Sequence, residues 1–115
     1  MKKIIILIPV YNDWISLKQL IEEINENIKV FNDTSFELLI VNDASTIEPP
    51  KISKPSKIDS IEILNMRENK GHARCNAFGI RYIFKNKKFD NLLLMDGDGE
   101  DRPIEIKNLV KKVLE

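Results

Sequence analysis

Three features of the sequence predict an α/β fold with a mainly parallel four-stranded sheet, spatial order 3-2-1-4, flanked by helices. Its apolar runs do not alternate, which marks strands covered on both faces. Stretches of helical periodicity separate strand one from two and strand three from four, long enough to carry parallel crossovers. The length, 115 residues, provides one domain, 1–115, with one modest core.

The run Ile4 to Ile8 is the central strand. From Trp14 to Val30, the residues Leu17, Leu20, Ile21, Ile24 and Ile28 recur at helical spacing, with Ser16 and Gln19 offering a capping box. Phe36 to Val41 reads as a second buried strand, and Ile61 to Leu64, partly alternating, as a third nearer an edge. Between them, Ser45 to Ser60 carries Pro49, Pro50 and Pro55 with Lys51, Lys54 and Lys57, a solvated connection without a regular element. Ala73, Ala77, Ile80, Ile83 and Phe84 predict a second helical face, and Asn91 to Met95 a fourth strand. A last helix begins near Pro103, with Ile106, Leu109, Val110 and Val113 as its stripe. Acidic Asp101 and Glu105 come early and Lys111 and Lys112 late, matching the helix dipole. Right-handed crossovers about a central first strand give the order 3-2-1-4.

Eighteen Lys plus Arg against eighteen Asp plus Glu leave no net charge, so no global field recruits nucleic acid or an anionic membrane, and any anion must be held locally. One cysteine, Cys75, excludes an intramolecular disulfide and a multi-cysteine zinc site, and fits a reducing, cytoplasmic setting. Lys2 and Lys3 ahead of an apolar run could pass for a signal peptide, but Pro9 interrupts it and no cleavage site follows. No stretch approaches the roughly 20 apolar residues of a membrane span, so membrane contact is expected to be peripheral at most.

In a sheet of this order, ligands bind at the carboxyl ends of the strands where the winding reverses, here between strands one and four. Three polar clusters fall on that edge: Pro9-Val10-Tyr11-Asn12, Asn42-Asp43-Ala44-Ser45-Thr46, and Asp96-Gly97-Asp98-Gly99-Glu100-Asp101. Any one of them could be ordinary turn and cap chemistry. The last places four carboxylates within six residues, a repulsion that a hard divalent cation, Mg or Mn, relieves while leaving positions for phosphate oxygens. Asp43 and Asp98, two strand spacings or about 10 Å apart, could be bridged by a nucleotide. Tyr11 would stack on its base, Asp43 would accept a base N–H, and the diphosphate would reach the metal.

These residues resemble the family 2 glycosyltransferases of GT-A fold, over nearly the whole chain. Pro9-Val10-Tyr11-Asn12 is similar to the family's P-x-Y-N, and Val41 to Thr46 to its V-D-D-G-S-T. Asn69-Lys70-Gly71 with Ala73-Arg74-Asn76 and Gly79 resembles N-x-G-x-x-x-A-R-N-x-G, and Asp96-Gly97-Asp98 matches D-x-D. Asn42 and Ala44 depart from the usual Asp and Gly. The resemblance implies a Rossmann-like half-domain that binds a UDP- or GDP-linked sugar. Pro9, Tyr11, Asn12, Asp43, Arg74 and Asp96 would lie at the nucleotide, and Asp98, Asp96 and Glu100 at a Mn or Mg ion. It further implies inverting transfer, with the acceptor base beyond Glu115. Asp98 to Pro103 is similar to the D-L-Q-D-x-P of enzymes that transfer sugars to polyprenyl phosphates, with Glu100 in place of Gln. That similarity makes the inner face of the membrane an alternative location, in cell wall or polysaccharide synthesis. A missing acceptor half would expose a sheet edge, so a homo-oligomer is also expected.

His72 reads as a polar neighbour of a helix start, Cys75 as a small buried hydrophobe and Trp14 as packing. A haloacid-dehalogenase-type phosphatase would need Thr where Glu100 stands, and an EF-hand would need Gly where Asp101 stands. The alternative from another class is a non-catalytic nucleotide-binding module, distinguished by binding without turnover.

Overall fold

The computed structural model describes residues 1–96 and 103–115. Seven elements follow one another: β1 (Lys2–Val10), α1 (Trp14–Ile28), β2 (Thr34–Asn42), β3 (Ser60–Asn65), α2 (His72–Asn86), β4 (Asn91–Leu94) and α3 (Pro103–Leu114). The four strands form one sheet in the order β3-β2-β1-β4, and every neighbouring pair is parallel.

Non-alternating strands become a three-layer molecule because each side of β1 meets a different helix layer. Ile4, Ile6, Ile8 and Val10 join α1 and α3 in the larger core, with Leu17, Ile21, Ile24, Ile106 and Val110. Ile5 and Leu7 join Leu39, Val41, Cys75 and Ile83 in a smaller core under α2. The crossover through α1 steps from β1 toward β3's side of the sheet, and that through α2 steps back toward β4. Crossovers of one hand moving in opposite directions place their helices on opposite faces.

The step from β2 to β3 is parallel but has no helix. Its connection does hold no regular element, yet it is not merely solvated. Ile58 is fully buried and Ile52 packs on the larger core. The Lys57 backbone N–H donates to Asn25 Oδ1, and the Lys57 ammonium donates to the Phe31 carbonyl while lying 5.9 Å over the Phe36 ring. Lys54 donates to the Ile58 carbonyl. The lysines of this loop therefore hold its backbone as well as keeping it wet.

Three local expectations change. The capping box at Ser16 and Gln19 does not form: the helix starts earlier, after Asp13, and no side chain caps it. On α2, Ala73, Ala77 and Phe84 lie outside rather than on the inner face, which is built from Cys75, Gly79 and Ile83. Small residues at 75 and 79 let the helix approach the sheet closely, so the inner face centres on them. On α3, Ile106 and Val110 are buried, but Leu109 and Val113 are 48% and 36% exposed. Glu105 in the first turn and Lys111 and Lys112 in the last stand as the dipole favours.

Candidate functional site

At the carboxyl edge the β1–β4 pairing stops before the β1–β2 pairing does, for a reason written in β1. Register pairs Val10 with Asn42 and Leu7 with Leu94. The Asp43 N–H donates to the Val10 carbonyl and the Met95 N–H to the Leu7 carbonyl. Even residues of β1 therefore bond to β2 and odd residues to β4. Pro9, buried in the strand, falls on the β4 side just past the last pair, where its missing N–H breaks no ladder bond. It lies just past the end of β1's pairing with β4, within the strand end at the carboxyl edge.

Immediately beyond, Tyr11 is 41% exposed and Asn12 takes a left-handed φ of 61°, a conformation asparagine tolerates. The Asn12 side chain is committed to the neighbouring loop. Its Oδ1 accepts the N–H groups of Thr46 and Ile47 at 2.8 and 2.9 Å, and its Nδ2 donates to Thr46 Oγ1. Its own N–H donates to Ser45 Oγ at 2.9 Å, and the Trp14 indole N–H reaches the Ile47 carbonyl. Asn12 thus stitches the first edge cluster to the second.

Within the second cluster, Asn42 Oδ1 accepts from the Ser45 N–H and hydroxyl, while its Nδ2 donates to Asn65 Oδ1 on the facing position of β3. An aspartate would lack that donor. Ala44 has φ 57°, so it adopts the conformation for which glycine is ordinarily chosen. The turn geometry survives the departure from glycine, at a cost in strain.

Asp43 is 1% exposed. Its two carboxylate oxygens accept the Lys70 and Gly71 N–H groups at 2.7 and 2.9 Å, and its carbonyl accepts from Asn69 Nδ2. The carboxylate faces inward and ties the end of β2 to the start of α2. Gly71 has φ 87° and ψ 159°, a region open essentially to glycine alone, and this conformation turns its N–H toward Asp43. Burial first, then the Asp43 carboxylate, pushes the Cys75 thiol up to about 12. Cys75 is fully buried and is a neutral packing group.

Among the described residues no side chain caps α2, so the amides of its first turn, at the carboxyl edge, carry the partial positive charge of a helix start. Here the structure brings to the edge a residue that the sequence offered only as a polar neighbour of a helix start. His72, the first residue of α2, has its Nδ1 3.9 Å from Asp96 Oδ1, and both side chains are roughly two-fifths exposed. The signal was topological: α2 begins at the edge where β4 ends. Arg74 is exposed on the same helix. Asp98, Glu100 and Asp101 lie outside the described residues. Among those described, no group of three His, Cys, Asp or Glu side chains is assembled to hold a metal ion. No helix of the described residues is long and apolar enough to cross a membrane.

Comparison with known proteins agrees with this architecture. Residues 5–115 match the family model of glycosyl transferase family 2. An uncharacterized protein of Methanocaldococcus jannaschii is 24% identical over 113 residues, covering 95% of this chain and 46% of that protein. The undecaprenyl-phosphate 4-deoxy-4-formamido-L-arabinose transferase of Proteus mirabilis is 28% identical over 109 residues, covering 94% of this chain and 32% of the transferase. A crystal structure of residues 1-349 of S. aureus TarS superposes with a TM-score of 0.65 at 18% identity, over 96% of this chain and 32% of that one, and so shares the fold. The chain spans less than half the length of these relatives. With a family match over residues 5–115 and an all-parallel sheet of order β3-β2-β1-β4, the chain belongs to glycosyl transferase family 2.

Proposed function

We infer that the carboxyl edge binds the nucleoside diphosphate of an activated sugar, and that the chain supplies the donor half of an inverting glycosyltransferase. What supports this reading is that the Tyr11 ring, the start of α2 and the half-exposed Asp96 carboxylate all lie at the carboxyl edge of one sheet. Each offers what one part of such a donor needs. An exposed aromatic ring offers a face to a base. Uncapped amides at a helix start, with Arg74 two residues in, offer donors and positive potential to phosphate oxygens. A half-exposed carboxylate offers the oxygen ligand that a hard divalent cation takes.

In this reading Asp96 would hold Mn or Mg with Asp98 and Glu100, and the ion, when bound, would stabilise negative charge on the departing diphosphate. The chain's own residues position the rest. Asp43 holds the 69–71 segment so that α2 begins at the cleft, and Asn12 holds the loop behind Tyr11. Transfer requires an acceptor oxygen to attack the anomeric carbon as the C–O bond to the diphosphate breaks, and a base to take the acceptor's proton. That base would come from the part of the relatives that this chain does not span. The Proteus relative's name makes a polyprenyl phosphate the acceptor to try first.

Calorimetric titration of the chain with UDP and GDP, with Mn²⁺ and then with chelator, tests the donor site. One nucleotide is expected to bind, to need the metal, and to be lost in Asp98→Ala. Binding of neither nucleotide, or equal affinity in the variant, sinks the assignment.

A further inference from the structure

The chain's charges balance at eighteen of each sign, but they are not spread evenly. From Lys70 to Lys88 there are six Lys or Arg and no Asp or Glu, so the rest of the chain is net acidic. Most of this segment is α2, a rod about 22 Å long. Two of its cations are neutralised, Lys70 by Glu68 and Lys87 by Glu62. Arg74, Arg81, Lys85 and Lys88 are exposed, and among the described residues none has a carboxylate within ion-pair distance.

Helical spacing gathers them. Residues 74, 78, 81 and 85 fall within about 60° of one another around the helix axis, so Phe78 stands in the cationic stripe, 44% exposed, with Phe84 beside it at 68%. Three adjoining depressions run along this face, and Phe78 lines all of them. The inner side of the same helix is sealed against the sheet by Cys75, Gly79 and Ile83. On the outer side Phe84 meets Phe89 edge to face with ring centroids 5.2 Å apart and still keeps two-thirds of its surface in water, while Phe78 stands among unpaired cations with no ring partner among the described residues.

We propose that the outer face of α2 docks this protein on an anionic lipid bilayer, with Arg81, Lys85 and Lys88 against lipid phosphates and Phe78 and Phe84 entering the interface. The charge is complementary, and phenylalanine, which has no hydrogen-bonding group of its own, gains by leaving water. A nucleic acid fits less well: single strands are bound along grooves that offer a ring to each of several successive bases, whereas the three depressions here share a single ring, Phe78. The inference goes beyond the donor-site reading and does not depend on it, because vesicle binding needs neither nucleotide nor metal.

The test is co-sedimentation of the full chain with phosphatidylcholine vesicles, alone and with roughly one third phosphatidylglycerol. Binding is expected only to the anionic vesicles and should weaken with salt. The exposed double variant Arg81→Gln/Lys85→Gln, in a helix former that should leave melting unchanged, is expected to bind roughly 30-fold more weakly, about 5-fold per cation removed. In Phe84→Trp, emission should shift to the blue on anionic vesicles and be quenched by brominated lipid, which cannot reach buried Trp14. Equal binding to both vesicle types, undiminished binding by the double variant, or unshifted emission from Phe84→Trp overturns the proposal. Retention on a single-stranded oligonucleotide without vesicle binding would assign the face to nucleic acid instead.

Discussion

Helices α1 and α2 are both fifteen residues long and both carry a parallel crossover, yet they are attached by different physics. α1 buries seven residues, among them Trp14, Leu17, Leu20, Ile21, Ile24 and Ile28. α2 buries three, one of them a glycine. The first is held by apolar area. The second is held by close approach at Gly79, by the Asp43 carboxylate at its start, and by a network at its end, where Glu62 of β3 accepts from the Tyr82 hydroxyl at 2.5 Å and pairs with Lys87 at 3.0 Å. A helix fixed by a few specific contacts leaves the amides of its first turn and most of its outer face without partners among the described residues, and those are the surfaces proposed for ligand and membrane.

If this contrast holds, each helix should fail to a different class of substitution. The largest effect is expected on the α1 side. Ile24 is fully buried, and Ile24→Ala should cost about 4 kcal/mol, transfer and cavity terms together, enough to leave a domain of this size marginal. Urea denaturation with an unchanged slope would measure it. Asp43→Ala comes next, at about 3 kcal/mol, because two backbone N–H groups lose a buried charged acceptor. Unlike Ile24→Ala, it should speed amide exchange at Lys70 and Gly71 before it affects the sheet. Uniform loss of protection across the molecule would break the comparison.

The α1 half was legible in the sequence because area follows periodicity: Leu17 to Ile28 name their own face, and the strand runs name the layers. The α2 half was legible only in its motifs. Cys75 and Ile83 were placed inside correctly, but the centre of the inner face was missed because Gly79 carries no hydrophobic signal, although a small residue is what lets backbone approach side chain. Ala73, Ala77 and Phe84 carry the signal and lie outside. At the edge, the clusters of Tyr11, Asp43 and Asp96 were found from topology. The inward turn of Asp43, the commitment of Asn12 to the 46–47 backbone and the approach of His72 to Asp96 depend on side-chain directions that no spacing rule encodes.

Two smaller effects sharpen the α2 side. A Cβ on Gly79 would sit 2.6 Å from Leu7 Cδ1 and 3.2 Å from Val41 Cγ2, and Leu7 is fully buried. Gly79→Ala gains about 1 kcal/mol of helix propensity but overpacks the interface, for an expected net loss of about 1–2 kcal/mol. Pairing it with Leu7→Val should recover part of that loss, a coupling read from the double-mutant cycle. Cys75 gives a pH signature of the same packing. With its thiol raised to about 12 in the folded chain, against roughly 8.5 unfolded, the unfolded state ionises first. The contribution is intact below about pH 8.5 and is lost as pH rises toward 12, at up to roughly 1.4 kcal/mol per unit. Between pH 9 and 10 the wild type should lose about 1 kcal/mol more than Cys75→Ala; equal slopes would place the thiol in contact with solvent.

The smallest effect tests the loop on which both the Asp43 contact and the Asn12 brace depend. Ala44 follows Asp43 directly and holds φ at 57°, which costs an L-residue roughly 1–2 kcal/mol relative to the ordinary helical region. Glycine would remove that strain but would enlarge the unfolded ensemble by about 0.5–1 kcal/mol. The two terms oppose, and the strain is the larger. Ala44→Gly is therefore expected to stabilise the chain by about 0.5 kcal/mol, seen as a slightly higher urea midpoint. A destabilised variant would mean that the Asn42-Ser45 hydrogen bonds already compensate the strain, and that alanine at this position stiffens the loop that presents Asp43 to α2.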